Sequence, residues 1–217
     1  MATTRLAAVD ELTARIDPKG NVTFDAATLA GLGSILDRVS QMLNRQARRF
    51  FGKTDSQTRY YTAEWPDRLV VPVDEPEIVS ITTLKTDVAG ALDYSRTWAT
   101  ADYQLCPANA AIEWPAQPYR EIVASIATGS AGYAFPLWDR GVQIVGVFGF
   151  PSVPAIVREM CIQEALVAWN QVKNPTGVIA SAELGRMLVE LQLHPSTVRE
   201  LNTLRRTRFN VARAAWA

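Results

Sequence analysis

The chain has 217 residues, 48% of them apolar, and 22 lysines and arginines balance 22 aspartates and glutamates to leave no formal net charge. A chain of this size buries roughly 70% of the surface its unfolded form exposes, so it needs neither disulfides nor a metal to hold a core. The composition excludes the disordered, collagen-like and coiled-coil classes, and the charge balance gives no reason to expect a nucleic-acid or membrane partner.

Apolar residues Leu6, Val9, Leu12 and Ile16 recur at helical spacing before the turn at Asp17-Pro18-Lys19-Gly20, which predicts a short amphipathic helix. A second stripe, Leu29, Leu32, Ile35, Leu36, Val39, Met42, Leu43 and Phe50, predicts a helix from Ala26 to Phe51 capped by Asp25, with Arg38, Arg45, Arg48 and Arg49 on its polar face. From Gln57 to Phe150 prolines punctuate short runs rich in β-branched and aromatic residues. Strands are expected at Arg59–Ala63, Arg68–Val73, Ile78–Lys85, Tyr103–Leu105, Ala111–Trp114, Glu121–Ile126 and Val142–Phe150, with the turn spacing of an antiparallel sheet or small sandwich. Helical period returns after Pro154 through Trp169 with a wide apolar arc. A further helix is expected around Leu184, Met187, Leu188 and Leu191, stopped by His194-Pro195, and a capping box at Thr197-x-x-Glu200 opens the tail.

The expected fold is α+β. Residues 1–56 form N-terminal helices, 57–150 an inserted antiparallel β lobe, 151–194 C-terminal helices packing on the N-terminal ones in a helical bundle, and 195–217 a partner-binding tail, all one structural unit.

Little in the sequence suggests catalysis, cofactors or metals. Cys106 and Cys161 belong to no C-x-x-C pair and fit a reduced, intracellular history as small buried side chains. One histidine, His194, cannot build a metal site or a Ser-His-Asp relay and reads as a surface or cap residue. Gly129-Ser130-Ala131-Gly132 lacks the spacing and base of a serine elbow. Gly146-Val147-Phe148-Gly149 lacks the following helix of a phosphate loop, and bulges or a tight turn explain its glycines better. Neither a membrane span nor a secretion signal is expected, since no window approaches ~18 uninterrupted apolar residues.

Charge is unevenly laid out. Between Glu64 and Glu113, nine carboxylates, among them Asp74, Glu75 and Glu77, face three cations for a net of −6. Residues 37–59 carry +4, and residues 199–217, with Arg199, Arg205, Arg206, Arg208 and Arg213 against Glu200 alone, carry another +4. Basic helix faces and an acidic lobe either remain ordinary solvated surfaces or meet head to tail between copies and close a ring, with Arg38, Arg45, Arg48 and Arg49 opposite Asp74, Glu75 and Glu77. The last residues join arginines to Phe209 and Trp216 without enough apolar mass for a core, a composition suited to ordering on a partner.

Several segments in order resemble the head-to-tail connector (adaptor) proteins of long-tailed bacteriophages: the helix end Asn44-Arg45-Gln46-Ala47-Arg48-Arg49-Phe50-Phe51, the strands Arg68–Val73 and Ile78–Leu84, Asp102-Tyr103-Gln104-Leu105, and above all Val142–Phe150 leading through Val153-Pro154 into an apolar helix. The likeness covers about Leu6 to Arg208. It implies a non-enzymatic virion protein of the neck, made in the host cytoplasm, without cofactor. Twelve copies would form a ring beneath the portal protein, join it to the next neck or tail protein and pass DNA through a channel without reading its sequence. By the same resemblance the tail residues Arg205, Arg206, Arg208, Phe209, Arg213 and Trp216 reach the portal. A stopper or tail terminator is the nearest alternative. A β-rich carbohydrate-binding module using Trp65, Trp98, Trp114 and Trp138 is a more distant one. The acidic layout further predicts a channel lining that is neutral to acidic, with arginines kept to protein contacts.

Overall fold

The computed structural model describes residues 5–113, 115–126, 129–173, 178–181, 185–188 and 193–205. Helix α1 (Val9–Ile16) starts with Glu11 reaching back to the Ala8 N–H at 2.8 Å. Helix α2 (Ala26–Ala47) is capped by Asp25, whose carboxylate accepts from the Thr28 N–H at 2.8 Å, as its position before the apolar stripe predicts. Strands β1 (Gln57–Tyr61), β2 (Arg68–Val70), β3 (Ile78–Thr86), β4 (Arg96–Trp98), β5 (Tyr103–Cys106), β6 (Glu121–Ala124) and β7 (Val142–Phe148) follow, with a 3-10 turn at Thr100–Asp102. Helix α3 (Ala155–Lys173), strands β8 (Val178–Ser181) and β9 (Gly185–Leu188), and helix α4 (Pro195–Leu204) complete the described chain.

The helices share one apolar core. Leu12 of α1, Leu32, Leu36 and Leu43 of α2, Val157, Cys161 and Ala165 of α3 and Leu201 of α4 are buried together with Phe51 and Phe150 from the connections to the lobe. Each such leucine contributes about 1.5–3 kcal/mol relative to exposure. Ion pairs fasten the rim: Arg5 to Asp37 at 2.7 Å and Arg15 to Glu159 at 2.9 Å.

The strands form two antiparallel sheets, β1-β7-β3-β4 and β2-β6-β5, and a separate hairpin β8-β9. Along β7 buried and half-buried residues alternate, the pattern of a strand with one face on a core. Val142, Ile144 and Phe148 meet Ile78, Leu84 and Trp98 of their own sheet and Leu69 and Ile122 of the other, so the two sheets close on a second core. The lobe begins and ends at one place, where Thr54 N–H donates to Phe148 O and Phe150 N–H to Gly52 O, at 2.9 and 2.8 Å. Gly149 permits this closure: its φ is +104°, and a Cβ there would lie 1.9 Å from Gly52 O. Gly146 faces Ser80 O in the same way, at 2.2 Å, where the β3–β7 register shifts.

The structure departs from the sequence expectations at several places, among them the unexpected strand β4. Helix α2 ends at Ala47, because Arg48 adopts a left-handed conformation (φ 49°, ψ 43°) and Asn44 Oδ1 accepts from the Phe51 N–H. Ala111–Glu113 lies in turns, with Ile112 and Glu113 both donating to Asn109 O, and makes no strand; Trp114 lies outside the described residues. The expected helix around Leu184–Leu191 is replaced, where described, by the hairpin β8-β9, which starts with the β-branched pair Val178-Ile179 and places Gly185 opposite Ser181. Helix α4 starts at Pro195, with the His194 ring as its cap, so Thr197 is buried inside the helix and does not open it.

Candidate assembly interface

Where the lobe meets the helices, a buried charge cluster holds them in register. Arg49, just past the end of α2, donates from Nε and Nη2 to Glu77 Oε2 and Oε1 at 2.8 and 2.9 Å. It also donates from Nη1 to Leu204 O at the end of α4, at 3.4 Å, and its guanidinium lies 4.5 Å from the centre of the Phe150 ring. Glu77 is 1% exposed, and Arg120 stands 4.0 Å from its second oxygen. A two-pronged pair of this kind orients both groups, and removing either side strands a buried charge.

The seven charged residues expected at contacts between copies therefore divide. Arg49 and Glu77 are engaged with each other inside one chain, and Glu77 is too deeply buried to reach a neighbour, which removes this pair from the expected intermolecular contact. Arg38 and Arg45 of α2 and Arg48 just past its end stand exposed and make no salt bridge among the described residues. Asp74 and Glu75 are exposed in the turn between β2 and β3, where Glu75 pairs with Arg59 of β1. Of the tail residues, Arg205 is exposed just after α4, while Arg206, Arg208, Phe209, Arg213 and Trp216 lie outside the described residues.

Several residues weighed for chemistry have structural work. His194 Nδ1 accepts from the Ser196 N–H, and the His194 backbone N–H donates to Glu164 Oε1 at 2.8 Å. Ser130 Oγ donates to Ser125 O at 2.9 Å. The Asp87 carboxylate is buried, which alone would raise its pKa, but the N–H groups of Leu92, Ala89 and Gly90 that it accepts hold it below the usual value. Asp102 accepts from the Ala99 and Ala131 N–H groups at 2.8 and 2.7 Å. Burial pushes the Cys161 thiol up to about 11, against a weaker lowering by the Ser40 hydroxyl. No group of three His, Cys, Asp or Glu side chains among the described residues could hold a metal ion, and no helix among them is long and apolar enough to cross a membrane.

Trp98 is a core residue, stacked at 4.5 Å on Phe135 with Nε1 donating to Thr86 Oγ1. Trp65 and Trp138 are exposed instead, at the lobe's outer end. Their grouping there with Leu137 is not visible in the sequence. The pairing of Tyr61 and Thr86 with Val142 puts the loops that carry all three at one end of the sheet, and no local pattern encodes that.

No protein-family model matches the chain. No curated protein matches it either. Solved structures do. A chain in the neck of an empty gene transfer agent particle, computed with C6 symmetry, matches with a TM-score of 0.52 at 16% identity, over 96% of this chain and 94% of that one. A chain in the virion of a native gene transfer agent particle matches with a TM-score of 0.51 at 16% identity, over 96% of this chain and 97% of that one. At this identity the likeness is one of fold, and it extends over almost the whole of each chain.

Proposed function

We propose that this chain is a non-enzymatic structural protein of the neck of a phage or phage-like particle, and within the neck a head-to-tail adaptor. Copies of it form a ring beneath the portal, join it to the next neck or tail protein and leave a central channel for DNA. The observation that carries this reading is the end-to-end fold likeness to a chain in the neck of a gene transfer agent particle. Helices from both ends of the chain share one core, and the β lobe projects from them as an insertion, which suits a ring subunit with two different ends. Exposed Arg38, Arg45 and Arg48 supply a positive face and exposed Asp74 and Glu75 a negative one, so that like copies can meet head to tail. The arginine-bearing tail from Arg205 onward supplies the contact to the portal.

The test is co-sedimentation with a portal ring. The full chain is expected to travel with the portal, and the chain truncated after Leu204 to stay behind while remaining folded. Undiminished binding by the truncated chain would remove the tail from the contact. Binding only to a portal already carrying another protein would make this chain a stopper.

A further inference from the structure

The outer end of the β lobe carries a surface that the ring contacts do not use. Three loops form it: residues 62–67 after β1, 87–95 after β3 and 134–141 before β7. Trp65, Val88, Leu92, Leu137 and Trp138 are 37, 44, 47, 55 and 41% exposed there. Single exposed apolar residues are ordinary, but five large ones on one loop cluster are not. Val88, Leu137 and Trp138 border an open groove of about 420 Å³ floored by Phe135.

These loops are braced against one another. Thr62 Oγ1 donates to Asp139 Oδ1 and accepts from the Arg140 N–H, at 2.8 and 3.0 Å. Tyr94 OH donates to Arg140 O at 2.9 Å, the Asp87 N–H to Gly141 O at 2.9 Å, and the Phe135 N–H to Pro66 O at 2.8 Å. A surface held this way loses little entropy when something binds to it. Its loops hold Glu64, Asp67, Asp93 and Asp139 on the outside; Asp67 pairs with Arg68, Arg96 borders the groove, and the Arg140 guanidinium lies on the Tyr60 ring at 4.8 Å, which leaves Glu64, Asp93 and Asp139 as the exposed acidic groups.

The segment with the complementary chemistry is in the same chain. Residues 206–217 bear Arg206, Arg208 and Arg213 with Phe209, Val211 and Trp216 and no Asp or Glu side chain. Their origin is fixed, because Arg49 holds Leu204 O at the junction of lobe and helices. From there the nine-residue strand β3 runs about 30 Å to the outer end, and twelve further residues can span about 40 Å. Tethering raises the effective concentration of such a segment at its site to the millimolar range. We propose that the aromatic, acidic end of the β lobe is the docking surface for the chain's own C-terminal segment, residues 206–217. The arginines meet Glu64, Asp93 and Asp139, and an aromatic side chain enters the groove beside Leu137 and Trp138. In the free protein this contact stores the segment that the proposed adaptor role gives to the portal, although the contact itself does not depend on that role.

The test is amide hydrogen exchange of the full chain beside the chain ending at Arg205. With the segment present, the loops 62–67, 87–95 and 134–141 are expected to exchange about tenfold more slowly, independently of protein concentration. A synthetic peptide of residues 206–217 added in excess to the shortened chain should restore the slow exchange. The double substitution Leu137→Ser and Trp138→Ser in the full chain should abolish it while β3 and β7 keep their protection. Equal loop exchange with and without the segment would overturn the proposal. Protection that grows with protein concentration would place the segment on a second copy and overturn docking within the chain.

Discussion

In the helical part of the molecule Arg38, Arg45 and Arg48 stand in solvent with no salt bridge among the described residues, whereas the β lobe takes Glu77, Asp87 and Asp102 inside and gives each a set of donors. Both regions have a continuous apolar core. They differ in what polar groups do. The lobe is built from short strands joined by long loops, and Asp87 and Asp102 organise those loops by collecting backbone N–H groups that no sheet pairs, while Glu77 takes the Arg49 guanidinium. The helices satisfy their own backbones, so their charges either pair with one another, as Arg15 does with Glu159, or stand in solvent like Arg38, Arg45 and Arg48. The acidic excess of the lobe sequence is thus partly architectural, whereas the basic excess of α2 stays on the surface.

Breaking the junction between the two regions should have the largest effect. Arg49→Ala leaves Glu77 buried without its main cation and is expected to cost about 3–5 kcal/mol in urea unfolding. Arg45→Ala, at an exposed position in the last turn of α2, should fall within about 0.5 kcal/mol of the parent. Comparable values for the two would show that the junction pair does not join lobe to helices. Next comes Gly149→Ala, which drives a methyl group into Gly52 O at a backbone angle that suits glycine, for an expected loss of roughly 3 kcal/mol. A smaller effect belongs to assembly. Arg38→Glu with Arg45→Glu should leave the thermal midpoint of the monomer unchanged and weaken self-association about tenfold or more, most clearly at low salt. Sedimentation at two salt concentrations reads both. The smallest effect sharpens the contrast from the helical side: Arg48→Gly relieves a left-handed residue and should raise stability by up to about 1 kcal/mol while removing one cation from the proposed contact.

Periodicity made the helices legible, and proline punctuation between β-branched and aromatic runs made most of the lobe so. The stripe from Leu32 to Leu43 and the Asp25 cap appear in α2 as expected, and the strand expected at Val142–Phe150 is β7, one of the two inner strands of the larger sheet. What escaped was set by single conformations or by distance along the chain. Arg48 ends α2 in a left-handed turn that arginine seldom adopts, and β4 has only three residues, too few for an alternating pattern. Leu184, Met187, Leu188 and Leu191 fit helical spacing, yet the described backbone there pairs as a hairpin, a case where propensity and period disagree. Charge layout put Arg49 and Glu77 at a contact between copies, whereas the structure pairs them within one chain. Their partnership, 28 residues apart, needed the closure of the lobe on Gly52 and Gly149 to be seen.

Imaging the protein assembled on its portal by electron microscopy tests the central claim most directly. The account predicts a closed ring in which Arg38, Arg45 and Arg48 of one copy lie at the boundary facing Asp74 and Glu75 of the next, with a channel whose narrowest point is neutral or acidic. A protein that forms no ring on the portal, or a ring whose constriction is lined by those arginines, would contradict it.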